Sequence, residues 1–476
     1  MVIKDFKKIN DHLWEISRSF REDMRVPARI YATEKMLLDS LEDRSAEQLV
    51  NVATLPGIYK YALAMPDIHE GYGFPIGGVA AMDAKNGVIS PGGIGYDINC
   101  GVRLLRSDLA ADVILPRLND LGGRIFAEVP SGAGRSGILK LSGKDLDLVL
   151  KCGARGLVAM GYEEKEDLEF IESGGELPDA DPAMVSSRAK TRGQDQLGTM
   201  GAGNHFVEVG FVEKIFSKDA AEAFGLFLGQ VTVLIHTGSR GLGHQVATDH
   251  IRTMMAAMPK YGIRIPDREL ACAPFRSEEG QNYFKAMSAA ANFAWANRQL
   301  IAWEVRKAWK DILGDSGGEL KTVYDVAHNL AKIEKYESLE LLVHRKGATG
   351  SFAKGNSEIP SRYRNVGQPV LIPGSMGTAS YILAGAEGAM ENTFGTAAHG
   401  AGRSMSRTEA RKHVEARALR ERLEAEGIYV FAGSLRGIAE EAPAAYKDID
   451  SVVDTVEAVG MAKKVARLRP LAVIKG

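Results

Sequence analysis

Short β-branched, apolar runs that break off into glycine-bearing polar loops do most to limit how this chain can fold. Val231-Thr232-Val233-Leu234-Ile235 leads into His236, Leu341-Leu342-Val343 into His344-Arg345-Lys346-Gly347, and Val370-Leu371-Ile372 into Pro373-Gly374-Ser375. Such runs read as strands, and reactive groups at strand ends build a pocket on a rigid scaffold. The 52 glycines follow no short repeat and gather in loops that also carry Asn, Asp, His, Ser or Arg. That is the pattern expected where backbone must approach a ligand closely.

Between these loops the chain has no internal repeat, low-complexity tract or clear linker. The expected fold is one large mixed α+β domain over residues 1–476, with residues 1–60 as an N-terminal elaboration. A helix is expected from Thr33 to Leu55, with Leu37, Leu38, Leu41 and Leu49 on its apolar stripe. The Ala-rich stretch from Tyr283 to Ile312 reads as a long buried helix or a helix pair. Residues Glu172 to Pro182 read as an acidic, exposed loop. The capping box Ser406-Arg407-Thr408-Glu409 opens a helix expected to stop near Gly427.

Composition excludes several function classes. A net charge of −2 supplies no global field for nucleic acid or anionic membrane, so a polyanion needs a local patch. No apolar run is long enough to span a bilayer, and Met1-Val2-Ile3-Lys4-Asp5 does not read as a leader. Cys100, Cys152 and Cys272 form no C-x-x-C pair, so a reduced, cytoplasmic chain without disulfides is expected.

The chemistry concentrates in a few loops. In Ser90-Pro91-Gly92-Gly93-Ile94-Gly95-Tyr96-Asp97-Ile98-Asn99-Cys100-Gly101, Asp97 and Cys100 can aim a carboxylate and a thiolate into one cavity. Histidines follow in Asn204-His205, His236-Thr237-Gly238-Ser239-Arg240 and Ala327-His328-Asn329. Taken singly, the usual reading of each is a core histidine bonded to a carbonyl. Jointly, these O, S and N donors suggest a transition-metal site, and a thiolate can bridge two cations. His399 differs: Gly400, Ala401 and Gly402 leave its ring open, and Arg403 and Arg407 follow. Such an imidazole can act as a nucleophile toward phosphorus; its bland reading is a helix-entry histidine. Basic clusters at Arg188, Lys190 and Arg192, at Arg345 and Lys346, and at Arg362 and Arg364 offer phosphate contacts. No Walker A sequence occurs.

Together these stretches, with Gly71 to Gly78, Gly201 to Glu208, His344 to Thr349, Pro373 to Ser380 and Ala472 to Gly476, closely resemble the RtcB family of tRNA-splicing RNA ligases. The resemblance implies joining of RNA 2′,3′-cyclic phosphate or 3′-phosphate ends to 5′-hydroxyl ends, with GTP as cosubstrate and two Mn²⁺ ions. It implies metal ligation by Asp97, Cys100, His205, His236 and His328, and a GMP-carrying His399. GTP contacts are implied for Asn204, Phe206, Glu208, Asn329, Ser375, Ser380, Tyr446 and Lys475, with Glu208 and Lys475 at the guanine end. The resemblance also implies that Gly400, Ala401, Gly402 and Arg403 line the same nucleotide site, and Arg240 and Arg403 are expected on RNA phosphates. RNA is the expected partner, with archease as an activator, no membrane, and a monomer as the working unit. Met65-Pro66-Asp67-Ile68-His69-Glu70 stands where the family carries Asp-Gly-His-Gln. Ala348-Thr349-Gly350-Ser351 lacks an arginine that often follows the threonine. The alternative reading is a Mn- or Zn-dependent RNA phosphoesterase without nucleotidyl transfer, which would use the same metal ligands.

Overall fold

Two large sheets and one long helix organise the chain. The computed structural model describes residues 1–476 apart from 133, 163, 164 and 337. The first sheet has seven strands in the spatial order Lys7–Asn10, Leu13–Ile16, Ala28–Tyr31, Ile58–His69, Ile76–Asp83, Leu339–Lys346 and Asn329–Tyr336. Its strands are antiparallel except where Ala28–Tyr31 lies parallel to Ile58–His69. The second sheet runs Lys321–Ala327, Gly101–Ala110, Gln230–Thr237, Phe206–Ile215, Ala462–Lys475, Ser380–Gly385 and Pro369–Ile372. Tyr429–Ala432 adds a parallel pairing to Ala462–Lys475. The molecule is thus a mixed α/β domain, with three strands of the first sheet drawn from the first sixty residues.

The apolar runs expected as strands are all strands: Gln230–Thr237, Leu339–Lys346 and Pro369–Ile372. Several helices differ from expectation. Thr33 to Leu55 forms two helices, Glu34–Ser40 and Ser45–Val52, because the Asp43 carboxylate accepts the Ser45 N–H at 2.8 Å and starts a second helix. Leu37 and Leu49 are buried while Leu38 is exposed, so the stripe does not run through. The helix capped by Ser406 ends at His413, and Glu415 caps a new one at Ala416–Ala425 by accepting two backbone N–H groups. The stretch from Glu172 to Pro182 is not an exposed loop. Glu172 is buried and accepts the Ala327 N–H at 2.9 Å, while Leu177 and Ala180 pack in the core.

The Ala-rich stretch is one helix, Glu278–Leu313, of 36 residues. Ser277 caps its start and two glutamates fill its first turn, which suits the positive end of the helix dipole. Small alanines let the helices Gly143–Ala159 and Arg240–Ala257 and the strand Gln230–Thr237 approach it. Residues up to Leu300 join one apolar cluster, and Ile301, Val305 and Trp309 join the other.

The polar side chains on this helix hold the loops that end the strands. Asn297 accepts the N–H groups of Gly198 and Thr199 and donates to the carbonyls of Thr199 and Gly238. Arg298, fully buried, donates to Asn99 O at 2.8 Å, to Thr237 O at 2.9 Å and to both Asp325 oxygens. Arg103 reaches the same carboxylate at 2.8 Å. A buried charge left without its partner is strongly unfavourable. Arg298→Ala should therefore lower stability by about 3 kcal/mol or more, read as a fall in the denaturant midpoint, even though Arg103 still serves Asp325.

Candidate active site

Four adjacent strands of the second sheet finish at one place. Val102 pairs with His236, Phe206 pairs with His236, and Ala327 pairs with Gly101. The residue just before Gly101 is Cys100, the one before Phe206 is His205, and the one after Ala327 is His328. The backbone bond from His328 N to Cys100 O, 2.8 Å, locks two of these positions together. Strand register therefore brings residues more than two hundred positions apart to one point.

There the side chains converge. Cys100 Sγ lies 3.4 Å from His205 Nε2 and 3.3 Å from His236 Nε2. His236 Nε2 lies 3.2 Å from His328 Nε2, and His205 Nε2 lies 2.9 Å from Asp97 Oδ2. His205 Nδ1 donates to Met200 O at 3.0 Å, which orients the ring so that Nε2 faces Cys100 and Asp97. The other Asp97 oxygen accepts the Ser239 N–H at 3.0 Å.

Electrostatics match a cation site. Burial, and then the neighbouring imidazoles, push His236 and His328 well below the usual histidine range. Two neutral rings thus face each other through Nε2. Burial works against the Asp97 charge, but His205 and Arg240 together outweigh it and hold that carboxyl down at about 2. Burial and the Asp97 charge raise the Cys100 thiol, a cost that a bound cation reverses by stabilising the thiolate. Cys100, His205 and His236 form a buried group with the spacing of metal ligands, and His328 and Asp97 adjoin it. This set of one sulfur, three imidazole nitrogens and one carboxylate fits a borderline divalent metal.

His399 stands next to this cluster. It follows the short strand Thr396–Ala398, so it is not a helix-entry residue. Its ring centroid is 4.8 Å from that of His328. Its Nδ1 lies 2.6 Å from Asp67 Oδ2, and the same oxygen accepts the backbone N–H groups of His399 and Gly400. Asp67 is fully buried. Its carboxylate thus holds the proton on Nδ1 and leaves Nε2 free as a base or nucleophile. Gly402 permits this approach: it sits at φ +73°, and a Cβ there would stand 2.4 Å from Asp67 O.

One cleft, with about 730 Å³ of empty space, opens on His399 and His236. Asn204, Phe206, Ser375, Gly400 to Arg403, Tyr446 and Lys475 line it. Lys475 donates to Gly203 O at 3.0 Å and lies 5.7 Å from the Phe206 ring, and burial lowers its pKa. Glu208 is buried on the same strand as Phe206, and burial, opposed by Lys475, raises its carboxyl to about 8. The Asn329 amide is already engaged, donating to Asp97 O and accepting from Gly347 N. Ser380 Oγ accepts the Gly374 N–H, which shapes the loop that carries Ser375.

The arginines are less free than the sequence suggests. Arg403 donates to Met405 O and Glu440 O and reaches Tyr446 Oη at 3.2 Å. Arg240, in the left-handed region at φ +54°, donates to Thr199 Oγ1 and lies against His205. Arg345 is buried against Glu334, and buried Lys346 donates to Tyr72 O and Phe74 O. That basic pair supports the interior and offers no surface for phosphate.

Sequence reasoning missed two residues here. Asp67 was visible only as part of a departing motif, and Arg298 sits in an Ala-rich helix with nothing local to mark it. Asn99, at φ +52°, carries the turn that aims Cys100.

A sequence model of a family described as tRNA-splicing ligase RtcB matches residues 48–476. A protein named tRNA-splicing ligase RtcB from Thermococcus kodakarensis is 55% identical over 476 residues, which covers 99% of this chain and 98% of that protein. Proteins of the same name from Archaeoglobus fulgidus and Pyrobaculum aerophilum are each 52% identical, with coverage of at least 98% on both sides. A mixed α/β fold, a buried thiol–imidazole cluster and a histidine held by a carboxylate thus coincide with similarity over nearly the full length. The chain belongs to the RtcB family.

Two outcomes test the site. Cys100→Ala removes the sulfur from the cluster, so divalent metal retained after dialysis should fall well below that of the unaltered protein. Folded Glu208 keeps its proton up to about 8, whereas the unfolded chain releases it near 4.5. Metal-free stability should therefore fall as pH rises through that window, because the native state then binds more protons than the unfolded one. Glu208→Gln removes this dependence, so its stability advantage in denaturant titrations should be absent near pH 4 and grow toward pH 8.

Proposed function

We propose that this protein is an RNA ligase of tRNA splicing and RNA repair. It joins 2′,3′-cyclic phosphate or 3′-phosphate ends to 5′-hydroxyl ends, using GTP and Mn²⁺. The observation that carries this reading is His399, whose Nδ1 is held by Asp67 at 2.6 Å while its ring borders both the cleft and the His328 imidazole. Membership in the RtcB family supports the same reaction.

A 3′-phosphate is a poor electrophile, because its oxygens leave badly; nucleotidyl transfer activates it. A cyclic phosphate is first opened by water to the 3′-phosphate. GTP lies in the cleft with its base toward Glu208 and Lys475, beside Phe206, and with its phosphates toward Ser375 and Gly400 to Arg403. His399 Nε2 attacks the α-phosphorus. The N–P bond forms, the bond to the β-bridging oxygen breaks, and pyrophosphate departs. Asp67 stabilises the positive charge that the ring acquires.

An oxygen of the RNA 3′-phosphate then displaces His399 from phosphorus and yields an RNA(3′)pp(5′)G end. Finally the 5′-hydroxyl attacks the RNA phosphorus, loses its proton to a nearby base, and GMP leaves. Asp97, Cys100, His205, His236 and His328 would hold the Mn²⁺ ions, which would neutralise phosphate charge. Arg240 and Arg403 would meet RNA phosphates; Arg403 would exchange one of its present partners to do so.

Incubation with α-³²P GTP and Mn²⁺, followed by 3′-phosphate and 5′-hydroxyl RNA, tests the reading. The protein should take up an acid-labile label and transfer it to RNA. His399→Ala should abolish the label with metal content nearly unchanged. Asp67→Asn should slow labelling by roughly 10²- to 10⁴-fold, because it disturbs the tautomer rather than the nucleophile itself. Cleavage of RNA with Mn²⁺ alone and no label would instead indicate a phosphoesterase.

A further inference from the structure

Five non-glycine residues among those described have positive φ: Lys60, Asn99, Ser173, Arg240 and Phe394. Asn99 and Arg240 belong to the site above. Lys60 and Phe394, at φ +55° and +51°, meet in a different pocket. Left-handed backbone is costly for bulky residues, and such strain collects where a ligand is held.

This pocket lies where the strands Ile58–His69 and Asn329–Tyr336 end away from the metal cluster. At ~3.3 Å per residue it lies roughly 25 Å from Asp67. Phe394 forms its buried floor. The partly exposed rings of Tyr59 and Tyr336 stand 6.3 and 5.7 Å from Phe394, centroid to centroid. Exposed Lys60 and Lys335 flank the rings, and neither enters an ion pair among the described residues. Glu391 also lies on the rim.

The walls are built rather than incidental. Arg345 donates to Phe394 O at 2.8 Å and pairs with Glu334, and Glu334 accepts the Tyr336 hydroxyl at 2.8 Å. One buried guanidinium thus fixes both the strained floor and one aromatic wall. Lys60 Nζ lies 5.3 Å from the centre of the Tyr59 ring. Rings interleaved with lysines that have no carboxylate partner are the combination that holds single-stranded nucleic acid: bases stack while ammonium groups meet phosphates.

We propose that this pocket binds a nucleobase and the phosphates on either side of it within a single-stranded segment of the RNA, distant from the ends being joined. The inference rests on the reading of the protein as an enzyme acting on RNA. It names a contact that nucleotidyl transfer does not require, so the two can be tested apart.

The experiment measures binding of full-length protein to a labelled single-stranded RNA with unreactive ends, across a range of salt, beside His399 labelling by GTP. The Lys60→Glu, Lys335→Glu double variant changes only exposed side chains. It should weaken RNA binding about tenfold and make the slope of log K against log salt shallower by about 1.4, for two lost phosphate contacts. Labelling by GTP should be unchanged. Tyr336→Leu should weaken binding about fivefold or more, whereas Tyr336→Phe, which keeps the ring, should not. Unchanged affinity and salt slope in the double variant would overturn the proposal. Equally tight binding of a mononucleotide at this pocket would overturn the assignment to RNA in favour of a free nucleotide. Absence of GTP labelling in the unaltered protein would count against the ligase reading alone.

Discussion

A single buried guanidinium holds the centre together. Arg298 has no access to solvent, so each of its N–H groups needs an acceptor inside the protein. It finds them on three separate segments: the Asn99 carbonyl beside Cys100, the Thr237 carbonyl beside His236, and the Asp325 carboxylate three residues before His328. Each acceptor belongs to a different strand end, and each strand end carries a donor atom of the cluster. The requirement to satisfy one charge therefore also sets the relative positions of a sulfur and two imidazoles.

The same logic, in weaker form, acts around His399. Asp67 comes from the first sheet and His399 follows the short strand Thr396–Ala398, and the bond between them ties the histidine ring to a strand that carries none of the clustered thiol and imidazole groups. The cleft thus has one wall from each sheet. The distance between His399 and the thiol–imidazole cluster is therefore set by how the two sheets pack.

Much of this was legible in the sequence, for a definite reason. Cys100, His205, His236 and His328 all adjoin strands, and short β-branched runs that end in glycine and a histidine announce both the strand and the reactive end. What the sequence hid was long-range. Arg298 and Asn297 look like ordinary polar residues on a helix until the loops they serve are known. The break between Ser40 and Ser45 turned on one carboxylate, Asp43, and helical periodicity carries no signal for it. Glu172 looked solvated because its neighbours are acidic, but its oxygens serve Ala327 N and Lys332. The Arg345–Lys346 pair read as a surface for phosphate, yet interior acceptors consume both cations.

The strand Ala462–Lys475 is inserted between Phe206–Ile215 and Ser380–Gly385, in the interior of the second sheet. Until it docks, both neighbours present unpaired edges, one of them adjoining the residue His205. Closing a sheet around such a distant segment is slow, since loop entropy is lost before the ladder forms. During that delay the bare edges are open to pairing with other chains. Synthesis at high temperature or high concentration would thus strain this protein at its assembly stage, long before its folded form is challenged.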